Sequence, residues 1–442
     1  MNASSPAQPP LQPDAASGGP SVLGAQFKSG MVWSIVSFFF MGIGGLLFNL
    51  IIAHFYSPDV LGIFNQTFAL YIFGSQLSAF GIHYSVLRYG ALLSDHQPQE
   101  AACSVATALT MVTVLSALLC LGCWGGQGWI GRVLNSPATQ TSLRWVLPGL
   151  FFFPMNKVLM NYLNSRRRMR ALAAANSLRY ILICGVVLLM ACLHKPGETL
   201  SLSFSIAETV IFVWTLGLQW PQLKHDIQAG RHAYWLRKHL SFGGKSFFAG
   251  LLTELNTRVD ILLLGVFLSD SQVGIYSFVA MLAEGFFQLM VIFRVNYDPV
   301  ITRLIANHGW DDLKTAIRLG RKKTYLVMIS LGLLGMALYP FIAAQIGYGR
   351  HYGRAWPIFA ILLGGMMLSA GFIPFSGLLQ QGGYPGTQSL LIFLVTLINI
   401  AGNLLLIPLW GSTGSAVGTA FSYVSLAVLL VLLSRWRFGR WL

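Results

Sequence analysis

Charged residues are scarce in this chain: only 10% of its 442 residues are Asp, Glu, Lys or Arg, whereas 55% are hydrophobic. A soluble domain usually carries about 25% charged residues, so this composition excludes an ordinary globular protein. The mean hydropathy is +0.63. These values predict an all-α polytopic membrane protein.

Cysteine is rare as well, with five residues in the whole chain. Cys120 and Cys123 form a CxxC pair, but they lie in an apolar stretch with no second ligand pair nearby. This favours buried free thiols over a metal or redox site. The sequence also lacks a nucleophile–base pair, a phosphate-cradling glycine loop and any long loop outside the membrane. We therefore expect neither an enzyme nor an ATPase, and no cofactor.

Long hydrophobic runs, by contrast, occupy most of the chain. Taking about 20 apolar residues as one membrane-spanning helix, the sequence predicts about twelve spans. They lie near 30–54, 60–82, 103–124, 143–164, 171–193, 200–221, 243–267, 273–299, 323–346, 355–379, 387–410 and 413–435. An even number of spans places both termini on the same side of the membrane.

The distribution of Lys and Arg predicts which side that is. One set of loops holds only Arg132, Arg144, Lys195, Arg350 and Arg354, and the other loops and tails hold many more basic residues. The positive-inside rule then places both termini in the cytoplasm. The same asymmetry accounts for much of the net charge of +15, so nucleic acid is not an expected partner.

The longest predicted cytoplasmic loop divides the spans six and six. We expect a disordered cytoplasmic tail at 1–26, an N-terminal six-helix bundle at 27–221 and a cytoplasmic linker at 222–242. A C-terminal six-helix bundle at 243–435 and a cytoplasmic tail at 436–442 complete the prediction. Inside the second bundle, the basic segment from Arg303 to Lys323 could form a helix lying on the inner membrane surface.

A similar string follows the first span of each half. Residues 56–70 read "YSPDVLGIFNQTFAL" and residues 268–282 read "LSDSQVGIYSFVAML", which aligns Gly62 with Gly274. Recurrence at the same place in both halves indicates an internal duplication, a common way of building transporters.

Several basic residues fall inside predicted spans and come from both halves: Lys157, Arg179, Lys245, Arg258 and Arg294. A charge at the bilayer centre costs at least about 2.5 kcal/mol, so such residues turn towards a bundle interior or a wet cavity. We expect them to line a basic cavity that binds a phosphate, a diphosphate or an acidic sugar.

Some of these residues have a purely structural alternative. Lys157, Lys245 and Arg294 could extend to the inner headgroups. Arg258 could simply pair with Glu254, four residues earlier on the same helix.

Two acids in adjacent spans, Asp260 and Glu284, are candidates for proton or sodium coupling. A buried carboxylate can bind and release a proton, or hold a cation, during a transport cycle. The alternative is a packing hydrogen bond to Asn256 or Gln288.

The segment from Asn256 to Ile301 resembles the seventh and eighth spans of polysaccharide-unit flippases. These belong to the multidrug/oligosaccharidyl-lipid/polysaccharide exporter superfamily. The resemblance, which extends over about residues 27–435, lies in a mid-span aspartate, an acidic hairpin, Gly-x-Tyr and a proline that closes the eighth span. The matching residues here are Asp260, Gly274, Tyr276 and Pro299.

The resemblance implies two six-helix bundles around a central cavity. It implies that the protein flips an undecaprenyl-diphosphate-linked oligosaccharide, or exports a related precursor such as that of an exopolysaccharide, across the bacterial cytoplasmic (inner) membrane by alternating access. The implied partners are the lipid-linked oligosaccharide, membrane lipids and other polysaccharide assembly proteins.

Two other functions remain open. A multidrug/cation antiporter of the same fold would favour an acidic cavity, which the excess of cations argues against. A membrane-embedded glycosyltransferase or polymerase would need a sizeable soluble loop, which this sequence lacks.

Overall fold

The computed structural model describes residues 20–93, 97–224, 231–346 and 348–439, and this part of the chain is helical without β-strands. The first half contains α1 (Pro20–Phe55), α2 (Pro58–Ala79), α3 (Ile82–Leu93), α4 (Pro98–Val133), α5 (Pro137–Ser165), α6 (Met169–Cys192) and α7 (Leu202–Leu223). The second half contains α8 (His232–Phe267), α9 (Asp270–Ala306), α10 (Trp310–Ala344), α11 (Gly349–Gly353), α12 (Trp356–Ser369), α13 (Leu378–Gln381) and α14 (Pro385–Phe438). Proline opens several of these helices, where its missing N–H costs nothing.

Each of the twelve predicted spans coincides with helical structure. The second span, predicted at 60–82, coincides with α2. After the left-handed residues Phe80 (φ 44°) and Gly81 (φ 70°), the helical structure continues as α3 to Leu93, beyond the predicted end. The tenth consists of α12 with the short helices after it, bent by 55°. The last two lie within α14, which breaks at Gly411 (φ 59°, ψ −137°).

Composition alone recognises fewer of these spans. Six described helices are long and apolar enough to cross a membrane, or seven if the bent pair counts as one span. The helices α2, α5 and α8 are not among them, because they carry polar and charged side chains. Packing against neighbouring helices shields these side chains from lipid.

The helices form two lobes, α1–α7 and α8–α14. In the first lobe α1 packs on α6, and α5 packs on α4 and α7. In the second lobe α14 packs on α12 and α8. The lobes meet mainly where α2 contacts α8 and α9. This layout agrees with two six-helix bundles.

The linker predicted at 222–242 is partly wrong, because α8 already begins at His232. With 36 residues, α8 is about 54 Å long, well beyond a hydrocarbon core of about 30 Å. Its first turns, residues 232–242, therefore extend beyond the membrane-spanning part. Residues 225–230 of the linker lie outside the described residues.

Those first turns of α8 dock on the other lobe, against α3 and α4. Trp235 and His239 are fully buried there. The His239 Nδ1 atom lies 2.8 Å from the Ser85 hydroxyl, and Nε2 lies 3.0 Å from the Ser104 carbonyl oxygen. Because a carbonyl only accepts, Nε2 carries the proton and Nδ1 accepts from Ser85.

Three other boundary predictions need correction. The segment 303–323 is not a separate surface helix, because α9 runs to Ala306 and α10 starts at Trp310. It does not lie on the surface either, because Leu313 and Ile317 are buried in the core of the second lobe. The expected tail 1–26 overlaps α1, and its residues 1–19 lie outside the described residues. The tail 436–442 begins as helix, because α14 continues to Phe438.

Candidate functional site

The two lobes are in backbone contact where Gly62 of α2 meets Gly274 of α9. A Cβ on Gly62 would contact the Asp270 carbonyl and lie 2.9 Å from the Gly274 nitrogen. A Cβ on Gly274 would contact the Pro58 carbonyl and lie 2.8 Å from the Gly62 nitrogen. Only glycine at both positions permits so close a crossing. The two glycines aligned by the internal repeat thus join the two halves.

A carboxylate reinforces this crossing. The Gln66 amide donates to Asp270 Oδ1 at 2.8 Å, and the Ser136 hydroxyl donates to Asp270 Oδ2 at 2.7 Å. The Thr139 hydroxyl donates to the Gln66 carbonyl oxygen at 3.3 Å. Asp270 is the first residue of α9, so the lobes are bonded together at the end where α2, α5 and α9 begin.

Beyond the crossing, α9 presents polar side chains that the protein does not cover. Glu284 and Gln288 are exposed, and no hydrogen bond or ion pair joins Glu284 to another described residue. The expected alternative, a bond from Glu284 to Gln288, is therefore wrong. The charges of Glu284 and Arg258, both in the second lobe, act on Tyr180 of α6 in the first. An exposed acid facing the other lobe indicates a wet cleft between them.

Arg179 lies inside the first lobe and is paired there. Its guanidinium donates to both carboxylate oxygens of Glu208, at 2.7 and 3.2 Å, and the Glu208 side chain is 0% exposed. Tyr71 and Asn156 each donate to the same carboxylate at 2.8 Å. The charge of Arg179 is thus satisfied by an internal network, which makes it a structural cation in this conformation.

Lys157 is half-buried and has neutral partners. Its ammonium donates to Ser75 Oγ at 3.0 Å and Gln76 Oε1 at 3.1 Å, and it lies 4.8 Å from the centre of the Phe153 ring. Glu254 of the other lobe interacts electrostatically with Lys157, but among the described residues the two do not form an ion pair. Lys157 therefore keeps a positive charge that a substrate anion could use.

Arg258 also lacks a carboxylate partner. The expected pairing with Glu254 is wrong: the described residues contain no ion pair between them, and the guanidinium carbon lies 4.9 Å from the centre of the Phe68 ring. Phe68 belongs to α2 of the first lobe, so Arg258 reaches across from α8 to the facing lobe. A ring face attracts a guanidinium but leaves its N–H edge available for an oxyanion.

The other two predicted cations lie in different surroundings. Lys245 is exposed on α8. Arg294 pairs with Asp298 four residues later, at 3.6 Å, and its side chain is 35% exposed. A Cβ on Gly377 would lie 3.3 Å from Arg294, which places this arginine against the α12–α13 break. Of the five cations, Lys157 and Arg258 best fit a shared cleft.

Asp260 lies beside several hydroxyl groups of the second lobe. Tyr276 donates to its Oδ2 at 2.9 Å, and the Ile261 backbone N–H donates to Oδ1 at 2.8 Å. The Tyr276 hydroxyl also lies 3.5 Å from that of Thr419. The expected alternative, a bond to Asn256, does not form between these described residues; the Asn256 carbonyl oxygen accepts from Thr396 at 3.5 Å.

Sequence reasoning missed the partners of these charges. The available signal was that four polar residues lie inside predicted spans, where a polar side chain needs a partner: Tyr71, Ser75, Gln76 and Asn156. Their pairing depends on contacts between helices far apart in the chain, which no spacing reveals. The five cysteines, all within the described residues, are free.

The polysaccharide biosynthesis protein family model matches residues 51–292, more than half of the chain. The chain belongs to this family. Among curated proteins, an uncharacterized membrane protein of Methanocaldococcus jannaschii is 31% identical over 115 residues. That match covers 25% of this chain and only 22% of the length of that relative.

Solved structures share the fold over nearly the whole chain. An inward-facing multidrug resistance MATE family transporter of the MOP superfamily gives a TM-score of 0.77 at 14% identity, covering 90% of this chain and 94% of that one. The lipid II flippase MurJ, in an inward closed conformation, gives 0.72 at 15% identity, covering 91% and 87%. A mutant MATE transporter of Vibrio cholerae gives 0.62 at 12%, covering 95% and 98%.

At these identities the likeness concerns the fold. Together with the family match, it shows that this family member is a multi-pass membrane protein whose fold is also found in MATE transporters and in the MurJ flippase.

Proposed function

We propose that the protein flips a lipid-linked oligosaccharide, carried on undecaprenyl diphosphate or a related lipid phosphate, across the bacterial cytoplasmic membrane. One observation carries this proposal. Lys157 and Arg258 belong to facing lobes, and among the described residues neither is paired with a carboxylate. A cleft between lobes with cations on both walls suits an anion that passes between them.

The two cations suit different stages of passage. Lys157 lies eight residues before the end of α5, and Arg258 lies nine residues before the end of α8. If both termini are cytoplasmic, α5 ends on the inner side and α8 ends on the outer side. Lys157 then meets the phosphate first as a compact charge, and Arg258 receives it further out through a bidentate contact. With two successive cationic sites, the phosphate is not held so tightly at either one that its release becomes slow.

The membrane potential can supply part of the driving force. When the membrane potential is inside-negative, it favours outward movement of each negative charge by about 2.3 kcal/mol per 100 mV. Asp260 and Glu284 could add coupling to protons or sodium. Asp260 is favoured as a cation ligand by its neighbouring hydroxyl oxygens, since hard cations prefer oxygen.

Alternating access requires the lobes to part at the Gly62–Gly274 crossing. In the present conformation this crossing and the bonds to Asp270 hold one end together, and Glu284 and Gln288 are exposed beyond it. With cytoplasmic termini, this joined end faces outwards, and the cleft receives substrate from inside, beside the docked first turns of α8.

The test is transport in vesicles that contain the purified protein and a labelled undecaprenyl-diphosphate-linked oligosaccharide. We expect protein-dependent translocation, measured by accessibility of the sugar to an impermeant reagent. The double variant Lys157→Gln/Arg258→Gln should lose it, and Lys224→Gln, an exposed cation at the end of α7, should keep it as the control. Transport of organic cations without movement of the labelled lipid would instead favour an antiporter and overturn the proposal.

A further inference from the structure

A pocket distinct from the cleft lies within the second lobe, between α10, the α12–α13 break and the end of α14. It is a shallow groove open at the surface of the lobe, and its free space is about 350 Å³ only when the solvent at its mouth is included. Apolar side chains from all three elements form its walls: Ile317, Phe372, Phe375, Leu378, Leu430 and Val431. Two polar residues, Arg321 and Ser434, complete the lining.

Arg321 supplies the positive charge of this pocket. Its guanidinium carbon lies 4.0 Å from the centre of the Phe372 ring, so one face of the cation is packed against an aromatic ring. No ion pair links Arg321 to any residue that the structure describes. Its neighbours Lys322 and Lys323 are basic and exposed, which makes the local charge strongly positive.

Ser434 supplies a hydroxyl with unused hydrogen-bonding capacity. The residue is 3% exposed, and its Oγ has no partner within the described part of the chain. A buried hydroxyl without a partner is unfavourable, and an acceptor oxygen in the pocket would satisfy it. Ser434 and Arg321 thus offer a donor and a charge to the same occupant.

We propose that this pocket binds the phosphate headgroup of an anionic phospholipid, with an acyl chain against its apolar walls. The headgroup phosphate would receive hydrogen bonds from Arg321 and Ser434. Leu326 and Leu432, near these two residues in sequence, are 69% and 52% exposed, as expected of side chains that contact lipid. Basic pockets between transmembrane helices are recognised sites for acidic headgroups. A phospholipid is favoured over the transported substrate because the pocket lies within one lobe and not between the two.

The test is lipid binding by the purified full chain, measured by native mass spectrometry during titration with phosphatidylglycerol. Phosphatidylcholine and undecaprenyl phosphate form the two comparison arms. The variants are Arg321→Gln, the exposed control Lys322→Gln, and Ser434→Leu, which removes the hydroxyl and narrows the pocket without changing charge. We expect phosphatidylglycerol to bind more tightly than either comparison lipid. Arg321→Gln should weaken it on the order of fivefold, the factor expected for one basic residue at a membrane surface.

The other variants distinguish specific binding in the pocket from a general electrostatic attraction of anionic lipid to the basic surface. Ser434→Leu should weaken binding as well, and Lys322→Gln should leave it near the wild-type value. Equal losses in Arg321→Gln and Lys322→Gln would overturn the proposal, as would equal binding of phosphatidylcholine or a preference for undecaprenyl phosphate. If Arg321→Gln fails to fold, the test rests on Ser434→Leu. An unchanged affinity of this variant for phosphatidylglycerol overturns the proposal that the pocket binds an anionic phospholipid.

Discussion

Gly62 and Gly274, which occupy equivalent places in the two halves of the chain, bring α2 and α9 into backbone contact. The contact leaves no room for a Cβ on either residue. It lies at the same end of the lobes as Asp270, whose carboxylate accepts from Gln66 and Ser136. One end of the interface therefore combines tight backbone packing with specific hydrogen bonds, and under the proposed alternating access it is where the lobes would part.

The Gly62→Ala variant should force the lobes apart at this crossing. The added methyl would overlap backbone atoms of α9, which cannot move aside as a flexible side chain would. In a cysteine-free background, spin labels at the exposed positions Asp59 and Gln272 should show a longer distance by double electron–electron resonance. Gly126→Ala is the matched control, because a Cβ there meets nothing within 4 Å. An unchanged distance in Gly62→Ala would contradict the close crossing.

Replacing Arg179 by Gln should destabilise the protein, because it leaves the Glu208 carboxylate buried without its cation. Breaking a buried ion pair in this way typically costs about 3–5 kcal/mol. We expect a lower thermal unfolding midpoint and less folded protein in the membrane. The double variant Arg179→Gln/Glu208→Gln should recover part of the loss. Normal stability with a selective loss of transport would instead return Arg179 to the substrate site.

The docking of the first turns of α8 should depend on pH. Burial lowers the pKa of His239 from 6.5 to about 4. The undocked imidazole therefore takes up a proton below pH 6.5, whereas the docked one stays neutral until about pH 4. Docking is thus unaffected by pH above 6.5 and weakens as pH falls through this window, by a total of about 3 kcal/mol.

Hydrogen exchange of residues 232–242 measures this dependence. Protection should be constant above pH 6.5 and fall below it, and His239→Gln should remove the change. His351→Gln is the control, because His351 is exposed. Protection that rose on acidification would show the opposite sign and refute the neutral, buried imidazole.

The fold could be predicted largely from the sequence because hydrophobic runs mark the spans, although α2, α5 and α8 fall short of an apolar span by length and composition alone. The repeat also predicted a relationship between Gly62 and Gly274, although not their contact. Errors arose where a long helix leaves the membrane. Residues 232–242 and 303–323 look like loop or surface segments by composition, yet Trp235 and Leu313 are buried against other helices. Whether such a segment is a loop or a buried helix depends on tertiary packing, and local composition does not reveal that packing.

The site was less predictable, because a charge inside a span does not identify its partner. Helical spacing favoured a Glu254–Arg258 pair, but packing between the lobes places Arg258 on Phe68 instead. Arg179 finds Glu208 29 residues away, in the next span. Spacing therefore identified the cations, and only the packed structure distinguishes a paired charge from an available one.

Arg258→Lys and Arg258→Gln should reduce transport of a lipid-linked oligosaccharide sharply while the protein stays folded. The ring contact of the half-buried Arg258 with Phe68 is worth about 1–2 kcal/mol, less than the buried ion pair of Arg179, so stability should change less than in Arg179→Gln. Lysine should substitute poorly because it cannot bind an oxyanion bidentately. Lys224→Gln, an exposed cation at the end of α7 and outside the predicted cavity set, should transport normally. Two measurements on the same samples distinguish a loss of transport from a loss of stability: vesicle transport per folded molecule, and the thermal unfolding midpoint. If Arg258→Gln unfolds as readily as Arg179→Gln and the surviving protein transports at the wild-type rate, Arg258 is a packing residue and the proposed second phosphate contact does not exist.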